Sequence, residues 1–146
     1  NNIVSAINKL KEENKKLVNE NNRFQIESLK ILAYTLNNES EKLNDFSFIA
    51  RKIDIDPKLM KDFSAILRKQ DSLIAILAIV IESKVQLSIS ISNDLVAKGY
   101  DARKYINQIA EKIKGKGGGQ AHFATAGGSN VNGINNSFQL AKNLLQ

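Results

Sequence analysis

From residue 2 to residue 37 apolar positions recur at alternating steps of four and three: Ile3, Ile7, Leu10, then Asn14, Leu17, Asn21, Phe24, Ser28 and Ile31. That spacing is a heptad seam, so it predicts one long helix that needs a partner helix. Leu10, Leu17, Phe24 and Ile31 fall at d, while Ile7, Asn14, Asn21 and Ser28 fall at a. Asparagine at a weakens a coiled coil but selects a dimer and a register. Ile7, Leu10, Asn14, Leu17, Asn21 and Phe24 are therefore the candidate dimerisation set. A solvated connecting helix that pairs with nothing is the plainer reading of the same weak seam.

Beyond it the period changes. Residues 46–53 read as a strand after an Asn44-Asp45 turn. Asp56-Pro57 is a helix start, with Asp at the N-cap and Pro in the first turn. Leu59, Met60, Phe63, Ile66 and Leu67 follow at helical spacing. Residues 73–81 form an unbroken apolar, β-branched run, as expected of a central strand covered on both faces. Residues 85–92 alternate, with Val85, Leu87, Ile89 and Ile91 on one side and Gln86, Ser88, Ser90 and Ser92 on the other. This predicts a strand with one wet face, paired as an antiparallel hairpin through Glu82-Ser83-Lys84. Asp101 caps another helix whose stripe is Ala102, Tyr105, Ile106, Ile109, Ala110 and Ile113; Gly115 marks its end. A last helix is expected over 132–145, with Ile134, Phe138, Ala141 and Leu145 inward.

The resulting order is β-α-β-β-α-loop-α behind a helix: an α+β fold, with residues 1–40 as a helical stalk and 41–146 as a small mixed-sheet domain. A chain of 146 residues with 42% hydrophobic content can bury such a core. Its first residues already look mid-helix, so it reads as a piece of a longer protein.

Seven of the 8 glycines lie between Gly115 and Gly133, most of them in the stretch GKGGGQAHFATAGG at 115–128. Glycine lets backbone N–H groups approach a partner closely. Around Gly117, Gly118 and Gly119 such groups could form an anion-binding nest, with Lys114 and Lys116 adding charge and Gln120 both donors and acceptors. Arg103, Lys104 and Lys112 on the preceding helix supply phosphate contacts of no sequence preference. The balance of 21 Lys and Arg against 15 acids, net +6, suits a polyanion. A flexible surface loop beside a solvated helix face is the plain alternative.

Enzymatic chemistry finds little here. There is no cysteine, His122 is the single histidine, and no carboxylates cluster at ligand-like spacing. No catalytic residue, metal site or cofactor is therefore expected in this stretch, and His122 reads as structural. The glycine run also fails the phosphate fingerprints. No Ser or Thr follows Lys116, and Gln120 and His122 stand where GxGxxG needs glycine. No apolar span suggests a membrane segment.

The motif resembles the glycine motif near the end of the alanyl-tRNA synthetase family, commonly GKGGGRPDMAQAGG. The strand pair LIAILAIVIESKVQLSISISNDLVAKG resembles the same family, with Asp94, Leu95, Lys98 and Gly99 at its D-L-x-x-K-G positions. Gln120, Ala121, His122, Phe123 and Thr125 depart from the common Arg-Pro-Asp-Met and Gln. The resemblance covers essentially the whole chain. It implies a non-catalytic, cytoplasmic module that binds the outer corner of tRNA, where the D and T loops meet, with the alanine-accepting tRNA as partner. It also implies a homodimer through the helix and attachment to a parent alanine–tRNA ligase, which handles alanine and ATP. The α+β part belongs by the same resemblance to the DHH-associated domains. Two alternatives follow: the substrate-recognition domain of a DHH-type phosphoesterase, or a purely structural dimerisation module.

Overall fold

A computed structural model describes residues 2–146; the first residue of the predicted 1–40 stalk lies outside the described residues. Helix α1 (Asn2–Asn38) runs without a break, and only its C-terminal part touches the rest of the chain, burying Leu29, Ala33 and Leu36. The earlier turns are exposed all round, as their polar composition requires: Leu10 is 62%, Leu17 62% and Phe24 68% exposed, against 3% for Leu29.

Six strands form one mixed sheet in the order β1-β2-β3-β4-β6-β5. Strand β1 (Glu41–Leu43) and β2 (Phe46–Lys52) make an antiparallel edge hairpin around Asn44, which takes the left-handed conformation at φ 48°. A short 3₁₀ turn (Pro57–Leu59) leads into α2 (Met60–Leu67), and Asp56 accepts a hydrogen bond from the Lys58 amide at 3.0 Å, as its N-cap position predicts. This crossover lets β3 (Leu73–Ile81) lie parallel to β2. β4 (Lys84–Ile91) returns antiparallel. Glu82 and Ser83, at φ 48° and 69°, form the two-residue turn whose twist suits a hairpin; Lys84 already pairs with Ile81.

The short α3 (Asn93–Ala97) and α4 (Ala102–Ala110) follow, the latter capped by Asp101 and continued by a 3₁₀ turn over Glu111–Ile113. The helix end differs from expectation by one residue. Lys114, not Gly115, takes the left-handed cap conformation, at φ 56° and ψ 49°. Gly115 is needed for another reason: a Cβ there would stand 2.1 Å from the Gly127 carbonyl oxygen. The expected glycine loop is itself a hairpin, β5 (Lys116–Gly119) and β6 (Phe123–Gly128), with β6 paired to β4. A 3₁₀ turn (Val131–Gly133) and α5 (Ile134–Leu145) close the chain.

The sheet is covered on both faces. On one, α1 and α2 pack over Ile49, Leu73, Ala75, Leu77 and Ile79. On the other, α4 and α5 cover Phe48, Ile74, Ile76, Leu87, Ile89 and Ile91. The predicted wet side of β4 is therefore dry beyond Gln86, which is half-buried: Ser88, Ser90 and Ser92 are all fully buried. Each hydroxyl is satisfied. Ser90 Oγ lies 2.7 Å from Ser64 Oγ, Ser88 Oγ donates to Met60 Sδ at 3.3 Å, and Ser92 Oγ accepts from the Leu73 amide at 3.0 Å. Buried hydroxyls with partners are tolerated where bare ones are not.

Candidate nucleic-acid interface

The glycine hairpin is built by close approach. A Cβ on Gly117 would lie 2.0 Å from the Thr125 carbonyl oxygen, and one on Gly119 2.5 Å from that of Phe123. With Gly115 this makes every second residue of the segment obligatorily glycine, because real Cβ atoms do not come that near to backbone. Gly118 is different, since a Cβ there meets nothing within 4 Å. The turn is a tight one, with the Gln120 amide donating to Phe123 O at 2.8 Å. Two further bonds tether it: Ala102 N–H to Ala121 O and Ile91 N–H to His122 O, both at 2.9 Å.

The predicted binding residues divide between two places. Lys116, Gly117, Gly118, Gly119 and Gln120 form the exposed outer rim of the sheet, and Lys114 precedes it at the helix cap. The Gly117 amide donates to Asn107 Oδ1 of α4 at 3.1 Å, so that amide is not free for an anion. Lys104 and Lys112 are exposed on the α4 side. Arg103 is occupied: its Nε and Nη2 donate to the Asp101 carboxylate at 3.0 and 2.7 Å. That pair raises the Arg103 pKa, chiefly by hydrogen bonding, and holds Asp101 at about 2.

A second group was not anticipated. Between α2 and the hairpin lies a cleft of 310 Å³ lined by Lys61, Arg68, Gly118, Gly119, Gln120, His122, Phe123 and Thr125. Lys61 on α2 and Arg68, which caps its C-terminus, are seven apart, hence on one side of the helix, but more than forty residues from the hairpin in sequence. No local pattern joins the two. His122 belongs to this cleft, and its pKa is lowered by burial first and by the nearby Arg68 charge second. Among the described residues no group of three or more His, Cys, Asp and Glu could hold a metal ion, and no helix is long and apolar enough to cross a membrane.

A mixed sheet covered on both faces, rimmed by a glycine hairpin and carried on a long helix defines a small α+β domain with a glycine-rich edge. The chain belongs to the DHHA1 domain family, whose match spans residues 44–146. It is similar along its whole length to alanine–tRNA ligases: 36% identical to that of Christiangramia forsetii over 100% of this chain, and 32% to that of Cytophaga hutchinsonii over 99%. In both comparisons the chain spans 17% of the relative's length. Among solved structures, the C-Ala domain of Aquifex aeolicus alanyl-tRNA synthetase aligns with a TM-score of 0.67 at 22% identity, over 73% of this chain and 96% of that one. A DHH domain described as a member of a family of ribosomal proteins aligns at 0.56 with 15% identity, over 87% of this chain and 33% of that one. The resemblance seen in the glycine motif thus extends to the fold.

Proposed function

We propose that this chain is a non-catalytic tRNA-binding and dimerisation region of an alanine–tRNA ligase. In this reading it grips the outer corner of tRNA so that the parent enzyme can aminoacylate and edit, and it works in the cytoplasm without a cofactor of its own. The observation that carries the reading is the exposed rim of β5, a run of bare backbone flanked by Lys114 and Lys116, in a chain similar over its whole length to alanine–tRNA ligases. Exposed peptide groups and lysines suit RNA, whose sugars, phosphates and displayed bases are read by backbone contact and charge. The dimer is supported by the free heptad face of α1. Its d residues Leu10, Leu17 and Phe24 are mostly exposed, and Ile31, at 67%, points away from the side that buries Leu29, Ala33 and Leu36.

Titration of the chain with intact tRNA and with a single-stranded oligonucleotide at two salt concentrations tests this. Tight binding of tRNA that weakens with salt, together with loss on Lys116→Glu, is expected. Preference for the single strand favours a phosphoesterase-type recognition domain instead. No binding to either leaves a dimerisation module.

A further inference from the structure

We propose that α1 pairs with α1 of a second copy in parallel and in register, Asn14 facing Asn14 and Asn21 facing Asn21. Both domains then sit at one end of a two-stranded coil. This pairing rests on the dimer part of the reading above and adds the direction of the second copy, from which the placement of the two rims follows.

The amides are the main observation. Asn14 and Asn21 stand at successive a positions and are exposed in the single chain. In a coil they are withdrawn from water and need partners. An asparagine amide carries both donors and an acceptor, so two of them face to face satisfy one another. An identical chain running the same way supplies that match at both layers, because a then meets a. In an antiparallel pair a meets d instead. The alignment of greatest overlap sets Asn14 against Phe24 and Asn21 against Leu17 of the second copy, so each of these amides is buried against an apolar side chain.

The charges agree. Glu13, Glu20 and Glu27 all fall at g. Antiparallel helices bring g beside g, which places Glu20 against its own copy and Glu13 against Glu27. Parallel helices bring g beside e of the next heptad. Glu13 then meets Val18, Glu20 meets Gln25 and Glu27 meets Leu32, with no like charges in contact. The docked domain leaves room for this. Leu29 and Leu36 fall at b and Ala33 at f, on the flank turned away from a and d, and these are the residues that α1 buries against its own chain. Ser28, Ile31 and Thr35 on the seam stay exposed alongside them. A parallel coil can therefore run to the end of α1 with one domain on each outer flank. The two glycine rims lie at the same end of the rod, and both amino ends lie at the other.

Distances between the copies decide the direction. The chain has no cysteine, so Ser5→Cys gives one spin-label site per chain, at an exposed f position outside the seam. Parallel helices hold the two labels about 20–30 Å apart, the width of two packed helices with the label arms. In the antiparallel alignment residue 5 faces residue 33 of the second copy, an axial offset of about 28 residues or about 42 Å. Pulsed electron paramagnetic resonance on the labelled chain is expected to give the shorter distance. A distance above about 40 Å overturns the proposal and leaves the dimer reading standing. A monomer throughout a concentration series in sedimentation, with no distance between copies, overturns both and gives the seam to some other partner. Mixing supplies an independent readout through the amides. When Asn14→Ile is combined with wild type in equal amounts, a parallel pair sets an amide against an isoleucine, so mixed dimers in native mass spectrometry should fall several-fold below the roughly one half expected by chance. Mixing at the chance level shows that Asn14 does not face itself and overturns the proposal.

Discussion

A methyl group on Gly117 would sit 2.0 Å from a carbonyl oxygen, whereas one on Gly118 would meet nothing. Adjacent, chemically identical residues are thus held for different reasons. Gly117→Ala must push β5 away from β6 and is expected to lower stability by about 1–3 kcal/mol or more in urea unfolding. Gly118→Ala should change it by less than about 0.5 kcal/mol. Asp94 offers a residue-scale test by pH. Its carboxylate accepts hydrogen bonds from Ser92, the largest influence, and from the Ser72 amide and hydroxyl, which hold its pKa at about 2 against an ordinary 3.8. A depressed carboxylate stabilises the fold above its unfolded pKa, and that contribution is lost as pH falls toward the folded value. Thermal melts of Asp94→Asn should therefore lie below wild type at pH 7, and the gap should narrow between about pH 4 and pH 2.

At the scale of elements, the stalk divides in its stability role between its two ends. Deleting residues 1–25 should leave the melting temperature nearly unchanged, because residues 2–25 are exposed throughout, while converting the proposed dimer to a monomer in sedimentation. Leu36→Ala, at the docked end, should cost about 2–5 kcal/mol in chemical denaturation. The elements most legible from the sequence were those whose side chains carry a period: the seam of α1, the Asp56-Pro57 start, the apolar run of β3 and the alternation of β4. The β5–β6 hairpin escaped because glycine has no side chain to alternate. Its period of two is written only in which glycines cannot be replaced. β1 is three residues long, too short for any pattern. The burial of Ser88, Ser90 and Ser92 escaped because a polar stripe reads as wet until α2 brings Ser64 and Met60 to meet it. The cleft escaped for a related reason, since it joins α2 to the hairpin only through the sheet.

For the whole molecule, the proposed function places association on the arm and RNA binding on the rim, and the separation of the two predicts that they are independent of each other. Charged substitutions at Leu10 and Leu17 should dissociate the dimer in sedimentation yet leave affinity for tRNA, counted per chain, within about twofold. A larger loss would mean that both copies grip one RNA. The net charge of +6 favours polyanions at a distance without regard to their sequence or shape.

The strand order also has a consequence for the chain as it is being made. β6 lies between β4 and β5, so β4 keeps an unpaired edge until residues 123–128 have left the ribosome. Until then the face bearing Ile74, Ile76, Leu87, Ile89 and Ile91 also lacks the part of its cover that α5 supplies, because Ile134–Leu145 follow β6 in the chain. Exposed apolar surface beside an open edge is the form in which nascent domains stick to one another. A polypeptide stalled before Phe123 would thus carry a finished β1–β4 sheet with nothing to close it, and translation speed through the codons for residues 123–146 would govern how long that sticky intermediate persists.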